Sequence, residues 1–415
     1  MDILNIAAIL VTFSAVFSYV NYRFLKLPAT IGLMLIGLVF SLMLLGLNQL
    51  GFSSIKDYAE HFLHQIDFNE TLMQGMLSFL LFAGALHVNI NDLAKQKWAI
   101  ASLATAGTIL STFIVGGLTW LVLDGLGIGL PLIQCLLFGA LISPTDPIAV
   151  LGILKTAGAT KSLEIKITGE SLFNDGIAVV IFIVLLGIAI EGDSVSVEHI
   201  GLLFAEEALG GVLYGLVIGA ITYYLLKSID NYTVEILLTL AMVMGGFALA
   251  TKIHVSGPIA IVVAGLMIGN HGRMFAMSDH TRQNLDTFWE LIDEILNAVL
   301  FVLIGLELLR ISFLNEYFIA AALIIPIVLL ARLISVSLPI GLLRFKFQFS
   351  PGAIKVLTWG GLRGGISVAL ALSLPAGPER NLILTITYLV VVFSILVQGL
   401  SLATLVRRIS EQNKG

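Results

Sequence analysis

The sequence predicts an all-α polytopic membrane protein of about thirteen transmembrane helices, and three observations carry that expectation. Hydrophobic residues fill 58% of the 415 positions and charged ones only 12%, roughly half the charged share of a soluble domain. Apolar runs of roughly 20 residues, enough to cross about 30 Å of hydrocarbon, recur from Ile3 to Val406 with short polar breaks. Lysine and arginine are distributed unevenly between alternate breaks, as in chains with a fixed orientation across a bilayer. Together these leave no room for a soluble domain, and residues 1–415 read as one membrane domain.

The chain turns apolar directly after Met1-Asp2, without the basic start or small-residue cleavage pattern of a secretory signal, so the first run reads as a retained span. Spans follow at about 3–22, 28–47, 70–89, 98–123, 131–155, 163–190, 206–228, 232–252, 255–270, 287–309, 316–343, 352–374 and 381–406. The single cysteine, Cys135, sits in an apolar run as a packing residue, which excludes an intrachain disulfide or a cysteine-rich metal site. With the N-terminus outside, only Lys56, Lys252, Arg310 and Arg380 among the 22 basic residues fall in outer loops, while Arg332 and Arg363 fall inside spans. All others, Lys166 included, are cytoplasmic, so the N-terminus is placed outside and the C-terminus inside. Acidic residues crowd the outer loops, as at Glu191, Asp193, Glu198, Glu206 and Glu207.

Two spans are interrupted. In span five, Ser143-Pro144-Thr145-Asp146-Pro147 places two prolines that lack an N–H and clash with the carbonyl four residues back, and Asp146, preceding a proline, is itself turned away from helix. In span twelve, Gly360, Gly361, Gly364 and Gly365 surround Arg363 and weaken the helix by roughly 1 kcal/mol each. If spans one to six and eight to thirteen are two inverted repeats joined by span seven, each interruption is the fifth member of its repeat. Matching broken helices in two halves point to a binding site where they meet near the bilayer midplane.

An ionised side chain at mid-span costs at least about 2.5–3.5 kcal/mol, so Asp146, Glu170, Asp175, Arg332 and Arg363 are the candidate functional residues. In span six, Glu170 and Asp175 point about 140° apart at 100° per residue, which excludes one small cavity for both. Glu170 is read as the structural partner of Arg332 on span eleven, and Asp175 as the carboxylate left for an ion. A carboxylate in a partly dehydrated cavity titrates nearer neutrality than in water, so a proton and a hard cation compete for it. Sodium takes oxygen ligands as other hard cations do, and Asp175, Ser171, Thr145, Asp146 and carbonyls freed at the break supply them. Asn174 beside Asp175 is neutral, which leaves one exchangeable charge and one-for-one exchange. Arg363 faces either freed carbonyls or Asp146. Glu290, Asp293, Glu294 and Glu307 are expected to face water or a vestibule, and His87 is a packing residue or a group tuning the pH response.

In order and spacing, Ser143–Pro147, Gly169–Gly176, Ala331-Arg332 and Gly360–Gly364 resemble the first, electroneutral branch of the monovalent cation/proton antiporters, over essentially the whole chain. The resemblance implies a homodimer in the inner (plasma) membrane that exchanges sodium, or lithium, for protons in pH homeostasis, with neither cofactor nor nucleic acid. It implies a dimerisation bundle and a core, around spans three to six and ten to thirteen, that moves as an elevator. Asp175 then binds cation or proton in turn, with Thr145 and Ser171 near the ion, Asn174 marking the electroneutral branch, Asp146 at the crossing and Glu170 paired with Arg332. Ala83 stands where many relatives carry an acid, so no pathway carboxylate is expected there. About nine residues follow the last span, which implies a prokaryotic form without a regulatory tail. Potassium/proton exchange on the same scaffold stays open, as does a cation channel. An intramembrane hydrolase is disfavoured by the lack of a His-Glu-x-x-His or Gly-x-Ser-x-Gly motif, so the chain is not read as an enzyme.

Overall fold

The computed structural model describes residues 3–50, 66, 68–191, 197–311, 314–347 and 349–412, and every regular element among them is helical. Lys56, Asp193 and Lys414, weighed above for charge bias, lie outside the described residues. The first helices are α1 (Ile3–Val20) and α2 (Ala29–Gln49), joined by a wide π turn and a left-handed Lys26. Next come α3 (Leu77–Leu86), the short α4 (Ile90–Lys95) and α5 (Lys97–Gly125). The first interrupted span is α6 (Leu132–Ile142) and α7 (Pro147–Ala157). Long helices follow: α8 (Lys161–Glu191), α9 (Val197–Lys227), α10 (Tyr232–Lys252), α11 (Gly257–Met267), α12 (Asp279–Leu306) and α13 (Asn315–Leu343). The second interrupted span is α14 (Ala353–Trp359) and α15 (Gly365–Leu372), before α16 (Pro378–Phe393) and α17 (Leu400–Gln412).

Both interruptions have local causes. Pro147 opens α7 at its first position, where a missing N–H costs nothing, and the chain between Ile142 and Pro147 leaves the helix. Between Trp359 and Gly365 the glycine-rich stretch leaves the helix, in a turn at Gly360 and extended backbone at Gly364. Two helices begin earlier than hydropathy places their spans: α9 at Val197 rather than near 206, and α12 at Asp279 rather than near 287. Hydropathy marks entry into the bilayer, whereas a helix starts at its cap. For α12 that cap is Ser278, whose Oγ accepts from the Thr281 N–H at 3.3 Å.

Among the described residues nine helices are long and apolar enough to cross a membrane. The stretches 68–86, 132–157, 279–306 and 353–372 are too short, broken or charged to meet that measure. One apolar core surrounds the two breaks and reaches from α1 and α2 to α17. A second gathers α3, α10 and α11 around Trp289 of α12, whose indole N–H donates to Thr239 Oγ1 at 3.1 Å. Lipid tails are as apolar as leucine, so close packing and buried polar contacts hold these helices rather than the hydrophobic effect.

Two charged residues sit differently from expectation. Lys166 is not a loop residue: it is 1% exposed on α8, donating to Ser162 Oγ at 2.7 Å with its ammonium over the Phe349 ring. Glu307 does not face water. The tight turn Glu307–Arg310 after α12 folds it inward, 1% exposed, where Arg310 lies 3.2 Å away and offsets the charge.

Candidate functional site

The two interrupted spans meet at their breaks, and groups freed in one are satisfied by the other. The Asp146 N–H donates to the Leu362 carbonyl at 2.7 Å. The Arg363 guanidinium donates to the Ser143 and Pro144 carbonyls at 2.5 and 2.9 Å, and its backbone N–H to Ser394 Oγ at 3.0 Å. In a membrane interior this mutual capping is what permits non-helical backbone, because no solvent is present to do it. A side chain at Gly364 would collide with Asp146, so the absence of a Cβ lets the two breaks touch.

Helix α8 runs past this junction and turns its polar residues two ways. Toward α13, both Glu170 oxygens accept from Arg332, Nη2 at 3.0 Å and Nη1 in closer contact. Arg332 also donates to the Leu357 carbonyl from Nε and Nη2 at 3.3 and 3.1 Å, which ties α8, α13 and α14 together. Both charges are buried, and the bidentate geometry offsets their loss of water. Toward the break in span five, Asn174 Nδ2 donates to Thr145 Oγ1 at 2.9 Å, and the Thr145 and Ser171 hydroxyls are 2.8 Å apart. Asn174 and Ser171 are fully buried, so they orient Thr145 from behind.

A cavity of about 1730 Å³ ends at this junction. Of the residues read as a cation and proton site, Thr145, Asp146 and Asp175 line it, whereas Ser171 and Asn174 do not and reach it through Thr145. Arg23, Lys26, Lys155 and Lys161, all exposed, form its mouth. Glu290 and Glu294 line the wall between, and His87 is on the rim, its Nδ1 2.8 Å from the Ala83 carbonyl. Two residues that sequence reasoning passed over, Asn297 and Ser367, also line the cavity. Both are neutral, so the cost of buried charge does not flag them; Asn297 is legible only as one turn beyond Asp293 on α12. Among the described residues no three His, Cys, Asp or Glu side chains converge as a multivalent metal site would need.

A model of the family described as "Sodium/hydrogen exchanger, transmembrane" matches residues 9–408. The Na(+)/H(+) antiporter NhaP of Pseudomonas aeruginosa is 54% identical over 411 residues, covering 98% of this chain and 97% of its own length. The Na(+)/H(+) antiporter NhaH of Halobacillus aidingensis is 36% identical over 415 residues, covering 99% and 97%. In fold, the sodium proton antiporter MjNhaP1 of Methanocaldococcus jannaschii aligns with a TM-score of 0.78 over 99% of both chains at 21% identity. A family match across nearly the whole chain and relatives aligned end to end place it among multi-pass transporters: the chain belongs to the sodium/hydrogen exchanger family.

Proposed function

We propose that the chain is an electroneutral antiporter that exchanges sodium for protons by alternating access, with the two ions competing for Asp175. The observation that carries this reading is the cavity running from the lysine- and arginine-bearing face to Asp175 and Thr145 beneath the crossed breaks. The names of the bacterial relatives support sodium and protons as its ions. Sodium is taken by the Asp175 carboxylate and Thr145, with Asp146 beside them and Ser171 holding the threonine hydroxyl.

Obligatory exchange follows from charge. With a proton or a sodium ion bound, Asp175 is neutral as a unit, and the core moves through the low-dielectric barrier without penalty. Empty, it carries a full charge, and crossing costs at least about 2.5–3.5 kcal/mol. Asn174 adds no second titrating group, so one proton returns for each sodium. Glu170 with Arg332, and Arg363 on its carbonyls, keep their charges through the cycle and hold the frame. With the basic face cytoplasmic, the cavity belongs to an inward-facing state.

In the same reading the protein is a homodimer of thirteen-span protomers in the inner (plasma) membrane, N-terminus outside and C-terminus cytoplasmic. A core around spans three to six and ten to thirteen moves against a bundle of the remaining spans. The test uses liposomes with an internal pH dye, wild type beside Asp175→Asn. Sodium-driven proton movement that is lost in the variant and indifferent to a clamped potential supports the reading. Exchange surviving in Asp175→Asn, or a preference for potassium, overturns it.

A further inference from the structure

The wall of the cavity contributed by α12 and α15 has no task in the exchange described above. On α12, Glu290, Asp293, Glu294 and Asn297 recur at the spacing of one helical face, and all line the cavity. Glu290 and Glu294 are exposed, Asp293 is half-buried and Asn297 is 4% exposed. At the deep end of this row the Asn297 amide meets the Asp293 carboxylate one turn back and makes no other side-chain hydrogen bond among the described residues. Ser367 on α15, 1% exposed and also lining the cavity, has a hydroxyl without a hydrogen-bond partner among the described residues. Buried polar groups are almost always satisfied, and a hydroxyl left open on the same cavity wall as a carboxylate and an amide that meet only each other points to a ligand.

Their placement is set by close packing. Leu300, three residues beyond Asn297, lies so close to Gly365 that a side chain there would strike it, and Gly365 stands two residues before Ser367. The preceding Gly364 abuts Asp146. Asn297 and Ser367 therefore flank one contact between α12 and α15 that Asp146 adjoins, in the cavity that Asp175 also lines.

We propose that Asp293, Asn297 and Ser367 form a second sodium-coordinating position beside Asp146, where the cation waits between the acidic vestibule and Asp175. A carboxylate, an amide oxygen and a hydroxyl offer hard oxygen donors with a single formal charge, which matches sodium and falls short of what a divalent ion demands. The position draws the cation past Glu290 and Glu294 and releases it once Asp175 loses its proton. This assignment rests on Asp175 being the exchange site, and its test separates the two.

Equilibrium binding of radioactive sodium to the purified, detergent-solubilised protein is the measurement, with exchange recorded in liposomes. Asp175→Asn should abolish exchange and still bind sodium, and adding Ser367→Ala should remove that residual binding. In the otherwise native chain, Ser367→Ala or Asn297→Ala should raise half-saturating sodium by about tenfold with the maximal rate little changed, the pattern of a lost binding contact. Asp293→Asn should do the same. Should Asp175→Asn alone abolish all sodium binding, there is one site and the proposal fails. Unchanged half-saturation in Ser367→Ala, the smallest of these changes, would mean that the wall holds only water and would overturn it as well. Exchange that survives Asp175→Asn instead refutes the primary site, whatever happens at Ser367.

Discussion

Replacing Arg332 by methionine should destabilise the protein more than replacing its partner Glu170 by glutamine, because the two residues do not share the same set of contacts. Glu170 accepts only from Arg332 among the described residues, whereas Arg332 serves both Glu170 and the Leu357 carbonyl. Removing one member of a buried ion pair costs about 3–5 kcal/mol. Arg332→Met also strips the Leu357 carbonyl of both its donors, about 1–3 kcal/mol more, for roughly 4–8 kcal/mol in all. Glu170→Gln keeps the Arg332 to Leu357 bonds and one side-chain acceptor, so its cost stays near the lower bound, about 3 kcal/mol. Unfolding in mixed micelles titrated with denaturing detergent gives the three free energies of a double-mutant cycle. The double variant should be less impaired than the sum of the singles, with a coupling of up to about 3 kcal/mol. Neither side chain lines the cavity, so the folded fraction of each variant should half-saturate at the wild-type sodium concentration. Strictly additive losses, or Glu170→Gln being the worse of the two, would refute the ion-pair account.

Other expectations follow from the same geometry. Arg363→Met removes the donors to two carbonyls at the first break, a loss of about 2–6 kcal/mol at 1–3 per carbonyl, and should lower the unfolding temperature measured in detergent. A stable Arg363→Met protein would mean that the break is capped by other means. Asn174→Asp places a second charge beside Asp175 and removes the donor to Thr145, so the remaining exchange should become sensitive to a potential imposed with valinomycin. Indifference to that potential would refute the role given to the amide. At the cavity mouth, Lys161 and Lys95 bond Asp92 at 2.9 and 3.0 Å and hold its carboxyl below the usual carboxylate range. A depressed carboxylate contributes above its unfolded value and loses that contribution only as pH falls through the lowered folded value. Between about pH 6 and 9 the bridge is therefore constant, and Asp92→Asn should leave the pH profile of exchange unchanged in shape, a displaced midpoint being the refuting result.

How much was legible differs from residue to residue. The direction in which Glu170 and Asp175 point follows from their five-residue separation on one helix, but what fills the space on each side does not. Ser171 and Asn174 read as ion-facing because they neighbour Asp175, yet the fold sets them behind Thr145, where hydrogen bonds replace direct exposure to the cavity. Glu307 reads as solvent-facing from its place near a span end. The turn that follows α12 carries it inward to Arg310, and turns are decided by contacts hydropathy does not register. Lys166 was counted with the cytoplasmic residues from its place at the start of a span, and the packing that buries it against Ser162 and Phe349 is not visible in hydropathy.

By itself the sequence determined the all-helical membrane class of the protein, the two interruptions and the carboxylate left without a neighbour of opposite charge on its helix. Each of these depends on local properties: apolar length against bilayer thickness, missing proline donors, glycine freedom and the cost of charge in hydrocarbon. Only the tertiary structure decided that the breaks cap one another through Asp146 and Arg363, that Arg332 also binds Leu357, and that Asn297 and Ser367 line the cavity, the serine hydroxyl without a partner among the described residues. A hydrogen bond between residues more than two hundred positions apart, or the lack of one at a neutral hydroxyl, leaves no periodic trace in the chain. It exists only once the helices have packed and excluded water from the groups between them.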